Sequence, residues 1–237
     1  DFQPSGALWD TLQSLQPYDL VLLSCDGQSD NTSDKNDGAL QAMFDYANMG
    51  GRIFASHYQN VWFKKGPDPF PQIANFVAKS GDHVGPLSAS IVTTFPKGQA
   101  MADWAQAAGA LDANGQVDII NGERTVAQEN TMYAQRWLAS DDPATVQYIS
   151  ANTPFGATDD KQCGRVVFSD LHVSAGRLPA DNPPAGDDFS TPSTPFPEGC
   201  VSSGFTPQEK VLAFMLFDLS ACVVPDNVAP TPPPIIR

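Results

Sequence analysis

The sequence predicts an α/β domain built on an open, mostly parallel sheet, and three stretches predict it. The run "DLVLLS" at 19–24 is apolar without polar alternation, as suits a strand covered on both faces. A helical stretch separates it from "GRIFAS" at 51–56. Residues 18–56 therefore read strand, helix, strand: a right-handed parallel crossover unit. Near the other end, "GRVVFSDLHVS" at 164–174 reads as a further buried strand that emerges at His172. With 237 residues the chain can bury a sizeable core in one such domain.

In chain order, Leu8, Leu12 and Leu15 recur at helical spacing within Gly6–Leu15. After the first strand, Asp26–Asp37 is polar and reads as a loop. Asp37 can cap the next helix, whose apolar face is Leu40, Met43, Phe44 and Ala47, and Gly50 supplies its left-handed stop. The prolines and glycine of "WFKKGPDPFPQ" break both periods and make it a loop; residues 72–79 read as a short helix. "LSASIVTTF" alternates like a strand, and Gln99–Ala108 is helical around Met101 and Trp104. "QVDII", "MYAQRWLA" and "TVQYISA" read as strands, the last two antiparallel. A proline-rich, acidic excursion fills Leu178–Gly204. Thr206-Pro207-Gln208-Glu209 then starts a helix: a capping threonine, proline at the first helical position, and glutamate three residues after the cap. Val211, Leu212, Met215, Leu216 and Leu219 give that helix its apolar face. Residues 1–222 read as one domain, and 223–237, "VVPDNVAPTPPPIIR", as an extended tail or linker.

The formal net charge is −14, with a pI near 4.3. Few cations are available to displace phosphate counterions, so no nucleic-acid partner is expected, nor an anionic membrane surface. No apolar run approaches the roughly 18–20 residues that a bilayer span needs. Four cysteines, few lysines and a Thr/Pro tail fit a secreted or cell-surface protein. An acidic cytosolic protein with four reduced thiols is the alternative. The start at Asp1 reads as a processed piece of a longer precursor.

"YDLVLLSCDG", then a helix, then "GGRIFASHYQ", and distantly "GRVVFSDLHVS" with a C-terminal helix resemble the ThuA-like (trehalose-utilisation) branch of the class I glutamine-amidotransferase-like superfamily. The resemblance is close over Tyr18–Gln59 and looser over Val146–Leu219. The pattern is also similar to secreted proteins of unknown function from myxobacteria and related bacteria. It implies a flavodoxin-like sheet with helices on both faces, and a strand or two ahead of the first one here. In open α/β sheets, sites form outside the carboxyl ends of the strands. Three such ends matter: Cys25-Asp26, His57-Tyr58 and Asp170-Leu171-His172. In the amidotransferases the nucleophilic cysteine ends the strand introduced by Gly-Gly, and there this chain has His57. Their catalytic histidine corresponds to His172, and their glutamate two residues later is here Ser174. With two of three triad members absent, glutamine hydrolysis is not expected.

Cys25 admits two readings. A nucleophile needs a lowered pKa and an exposed thiolate, and the charge of Asp26 beside it opposes that. The favoured reading is a disulfide. On the implied frame Cys25 and Cys200 share the carboxyl edge of the sheet, and Cys163 and Cys222 share the opposite edge. Cys25–Cys200 with Cys163–Cys222 is therefore favoured among three possible connectivities. His57 and His172 are the candidates for chemistry, with Asp170 as a catalytic partner. Two imidazoles and a carboxylate such as Asp26 can hold a divalent ion, zinc or calcium, or act as acid and base on a sugar hydroxyl. The plainer alternative is that each histidine hydrogen-bonds loop backbone. Asp26, Gln28, Tyr58, Gln59 and Trp62 are candidate binding residues. Tyr58, Trp62, Phe63 and Phe70 are placed either to stack on a sugar or to pack their loop down. His83 reads as an exposed loop residue. Asp26, Asp30, Asp34 and Asp37 lack the spacing of an EF-hand and read as surface acidity; Asn31-Thr32-Ser33 matches a glycosylation acceptor.

Three functions are then in view. One is a secreted ThuA-like domain with a degenerate amidotransferase site that binds or processes carbohydrate at the His57/His172 edge. A second is a non-catalytic extracellular structural, adhesion or self-assembling module, with the tail docking on a neighbouring domain or copy. The third is a secreted metal-dependent hydrolase.

Overall fold

The computed structural model describes residues 6–25, 34–77, 83–173 and 205–230. Asp26, Gln28, Asp30, the Asn31-Thr32-Ser33 acceptor, Ser174, Cys200 and the excursion 178–204 lie outside the described residues.

The N-terminal helical stretch forms two single turns, α1 (Gly6–Trp9) and α2 (Leu12–Leu15), because Thr11 caps the second through the Ser14 amide. The crossover unit forms as its pattern implies: β1 (Leu20–Leu23), α3 (Asp37–Asn48) and β2 (Arg52–Ser56), with β1 and β2 parallel. Asn36, one residue before Asp37, is the cap of α3; its side chain accepts from the Ala39 amide. Gly50, at φ +110, turns the chain out of the helix. The expected loop after β2 begins instead with a helical turn, α4 (Val61–Lys64). Residues expected to be helical at 72–79 hold β3 (Ala74–Phe76).

The remaining strands are β4 (His83–Ile91), β5 (Val117–Glu123), β6 (Val126–Glu129), β7 (Gln135–Asp141), β8 (Ala144–Thr153), β9 (Gly164–Ser169) and β10 (Leu171–His172). Helix α5 (Pro96–Ala107) lies between β4 and β5, and α6 (Pro207–Ser220) follows β10, opened by the Thr206–Glu209 capping box. The main sheet has the order β1-β2-β9-β8-β7-β4-β5-β10; β3 and β6 make a separate ribbon. Among the described residues, only β1–β2 and β2–β9 pair parallel. Every other neighbour is antiparallel. A mostly parallel, flavodoxin-like sheet is thus corrected to a mixed and mostly antiparallel one. The cause lies in the connections. A parallel pair needs a crossover of a dozen or more residues, and β7 and β8 are joined by Asp142-Pro143 alone.

Helices do cover both faces of the parallel part. Val21, Leu23, Ile53, Ala55, Val166 and Phe168 pack with Leu15, Leu40, Met43 and Ala47 on one side. The alternate residues Phe54 and Val167 pack with Met101, Val211, Met215 and Leu219 on the other. Gly164 opens β9 where a Cβ would sit 1.9 Å from the Ala47 carbonyl oxygen, so only glycine lets α3 lie this close to the sheet. Thr153 Oγ1 donates to the same carbonyl at 2.6 Å.

Two buried polar knots hold the parts together. In the first, Arg165 on β9 is fully buried and meets Asp218 on α6 at 2.8 Å and Asp226 at 2.9 Å. Lys97 on α5, also buried, meets the same two carboxylates at 3.0 and 3.3 Å. Two cations face two anions, so the cluster is balanced. It also engages the tail, since Asn152 donates to the Val224 carbonyl. The stretch 224–226 therefore docks on its own domain. In the second knot, Asp170 interrupts the strand between β9 and β10. Its amide donates to the Gln147 carbonyl, and its carbonyl accepts from the Glu123 amide. Its carboxylate accepts from the amides of Thr125 at 2.6 Å and Val126 at 3.0 Å. One continuous stretch thus lies beside β8 by its first half and beside β5 by its second, which curls the sheet into a half-barrel.

Asp226→Ala leaves Arg165 and Lys97 sharing one carboxylate, and is expected to cost about 3–5 kcal/mol in chemical denaturation. Asp160→Ala, at an exposed pair with Lys161, is expected to stay within about 0.5 kcal/mol. Burial raises the Asp170 carboxyl from 3.8 to about 7, against the opposing pull of its Thr125 and Val126 hydrogen bonds. The folded state then holds a proton that the unfolded chain releases, so this group's contribution to stability falls as pH rises from about 4 to about 7. Asp170→Asn removes that slope. The difference in Tm, variant minus parent, should grow more positive from pH 4 to pH 7; a flat difference contradicts the assignment.

Candidate functional site

Beyond Ser56 the chain turns sharply. His57 has φ +44, the one positive φ at a non-glycine among the described residues. Such a backbone costs on the order of 1–3 kcal/mol and persists only where its surroundings hold it. Asn60 Nδ2 donates to the His57 carbonyl at 2.8 Å, and the short turn His57–Asn60 leads straight into α4. The Gln59 side chain donates to the Ser24 carbonyl at 2.9 Å and accepts from Trp62 Nε1 at 2.8 Å. The elbow is thereby sewn to the end of β1, where Cys25 follows.

That assignment corrects two candidate binding residues. Gln59 and Trp62 are buried and engaged with the protein itself. Phe63 and Phe70 are buried too, with ring centroids 5.2 Å apart. Of the proposed sugar-stacking aromatics, Tyr58 alone is partly exposed, and its ring stacks on His57 at 3.8 Å.

The two candidate histidines meet. His172 Nε2 lies 2.8 Å from His57 Nδ1. His57 is buried, and His172 remains 31% exposed at its side chain. Cys25 Sγ lies 3.5 Å from the same His57 Nδ1. A ligand atom from each of Cys25, His57 and His172 falls within 4.8 Å of the others. Three strand ends therefore converge, although by a different route from the one expected. His172 does not end a parallel strand beside β2; it pairs antiparallel with Asn121 of β5, across the mouth of the half-barrel.

Asp170 does not join this group, which corrects its catalytic assignment. It is fully buried and spends its carboxylate on the Thr125 and Val126 amides. The carboxylate that does approach is Glu123, at the end of β5. Its Oε2 is 3.7 Å from His57 Nε2, and its Oε1 is 4.0 Å from His172 Nδ1. Sequence reading missed Glu123. No periodic signal pointed to it, because the alternation of Val117, Asp118 and Ile119 stops at Ile120 and Asn121. His83, expected in a loop, instead begins β4 in register with Glu123. Cys163 and Cys222 both carry free, exposed thiols, so their expected disulfide is not formed, and no disulfide occurs among the described residues. No helix among those residues is long and apolar enough to cross a membrane.

No family model matches the chain, and no curated protein matches it. Solved structures similar to it include two from bacteria. One is the cytoplasmic protein STM3548 from Salmonella typhimurium, 12% identical, covering 71% of this chain and 68% of that one with a TM-score of 0.42. The other is a protein described as ThuA-like from Bacteroides uniformis ATCC 8492, 12% identical, covering 72% of this chain and 66% of that one with a TM-score of 0.45. About a third of each of those chains lies outside the match, and superposition at this level says nothing of activity.

Proposed function

We propose that this chain is a ThuA-like α/β domain in which a divalent-metal centre replaces the amidotransferase site, with Cys25, His57 and His172 as ligands and metal-assisted hydrolysis as its chemistry. The observation behind it is the convergence of one sulfur and two imidazole nitrogens within 4.8 Å. The donor set chooses among metals. Calcium takes six to eight oxygen ligands, whereas thiolate with imidazole suits zinc. The thiolate of Cys25 fills the place first given to Asp26. Three protein ligands among the described residues leave a fourth tetrahedral position for water, the pattern of catalytic rather than structural zinc sites. Zinc bound there would lower the pKa of that water toward neutrality. The partly exposed ring of His172 leaves the site a side open to a substrate.

Carbohydrate as the substrate class has one supporting residue, Tyr58, now that Trp62, Phe63 and Phe70 are buried. Residence outside the cell is supported by composition; the free thiols of Cys163 and Cys222 lend it nothing. Docking through the tail is weakened at 224–226, which the domain already engages.

Metal-stripped protein titrated with Zn²⁺ against a chromophoric chelator should bind one equivalent. Co²⁺ in its place should give a thiolate-to-cobalt charge-transfer band. Cys25→Ser should abolish the band, and His172→Ala should abolish the one-to-one binding. Failure of the parent protein to bind, or unchanged binding in both variants, overturns the proposal.

A further inference from the structure

The two buried cations on α5 and β9 need more than one anion. Without the tail, Arg165 and Lys97 face a single carboxylate, Asp218, at 2.8 and 3.0 Å. The spot then carries one uncompensated positive charge, and both cations are buried. A buried charge without a partner is costly. The remaining donors aim at one place. Arg165 Nη2 lies 2.9 Å and Lys97 Nζ 3.3 Å from Asp226 Oδ1. Ser150 Oγ accepts from Trp137 Nε1 at 2.7 Å and from Arg165 Nη2 at 3.0 Å, so its own proton goes to Asp226 Oδ2 at 3.2 Å. Asn152 Oδ1 accepts from Arg165 Nη1 and holds the guanidinium in place.

The segment that fills this place has little else to fasten it. No residue from Val223 to Pro230 is buried. Besides the carboxylate, two long bonds of 3.4 Å tie it to the domain among the described residues: Lys97 amide to Asp226 carbonyl, and Asn152 side chain to Val224 carbonyl.

We propose that Lys97, Arg165 and Ser150 form a carboxylate-binding site for an extended acidic peptide, and that residues 224–226 occupy it as an intramolecular latch fastened at one point, Asp226. The site keeps its shape without its occupant, because Asp218, Asn152 and Trp137 hold its donors. A short tether gives the tail a roughly millimolar local concentration, which keeps a free peptide of the same chemistry out until the latch lets go. The occupant it fits in trans is the same segment of a second copy. The site sits at the start of β9, whereas Ser169 at the other end of that strand pairs with Ser56 beside the elbow, so it works independently of any metal.

The test uses the full chain. A dye-labelled peptide of sequence VVPDNVAP is titrated by fluorescence anisotropy against the parent and Asp226→Ala. The variant should bind it, and the parent should bind it more than about 10-fold more weakly. The same peptide with asparagine in place of its aspartate should bind neither. No binding by the variant, or equal binding of the two peptides, overturns the site; equal binding by parent and variant overturns the latch. Formate gives a second check. Asp226→Ala should melt about 6–20 °C below the parent, and sodium formate should recover part of that loss where sodium chloride at the same ionic strength does not. Equal effects of the two salts overturn the site. Hydrogen exchange on the parent needs no variant to fold. The Lys97 and Val228 amides should exchange together by local undocking, ahead of the Met215 and Leu219 amides of α6. Exchange of all four only with global unfolding overturns the latch.

Discussion

Asp170 stands where β9 leaves the sheet, and all four of its hydrogen-bonding backbone and carboxylate contacts reach across to other strands. Its amide and carbonyl bridge Gln147 on β8 and Glu123 on β5, and its carboxylate takes the Thr125 and Val126 amides beyond β5. The tie closes the half-barrel. Beyond it the chain leaves β8 and pairs with β5, which sets His172 opposite Asn121. Burial makes the tie costly for a charged carboxylate, as the raised pKa records. The same bridge holds Glu123 by its amide, so the histidine and the carboxylate behind it are positioned by one residue.

The other half of the site depends on a strained turn. The positive φ of His57 costs on the order of 1–3 kcal/mol. Three side-chain hydrogen bonds, from Asn60, Gln59 and Trp62, converge on that turn. At roughly 0.5–1.5 kcal/mol each, their sum is of the same size as the strain. Those bonds place His57 against the end of β1. The Arg165 cluster plays a different part. It locks α5, α6 and the docked tail onto β9, and so steadies the strand from which Asp170 departs.

What the sequence made legible follows the physics of each element. The crossover unit was readable because buried parallel strands are continuous apolar runs separated by a capped helix. The antiparallel half was not, because similar apolar runs serve either direction and only the short connections tell them apart. Cys25, His57 and His172 were readable as strand ends. A shared site for the two histidines was readable with them, but the route that joins them was not, because it depends on a strand that changes partner at Asp170. Asp170 itself looked catalytic by adjacency to His172, yet the break in the ladder sends its side chain to the Thr125–Val126 turn. The Cys163–Cys222 pairing failed for a related reason: it placed both cysteines by the edges of a parallel frame. Cys163 instead packs at the corner after α3, its sulfur 3.3 Å from where a Cβ on Gly50 would be.

Whether one sulfur and two imidazoles share an ion at the elbow is tested most directly by X-ray absorption at the zinc edge, on protein loaded with one equivalent. The expected first shell is one sulfur at about 2.3 Å and two imidazole nitrogens at about 2.0–2.1 Å, with a light-atom fourth ligand. A first shell of oxygen and nitrogen without sulfur, or the same sulfur signal in Cys25→Ser, contradicts it.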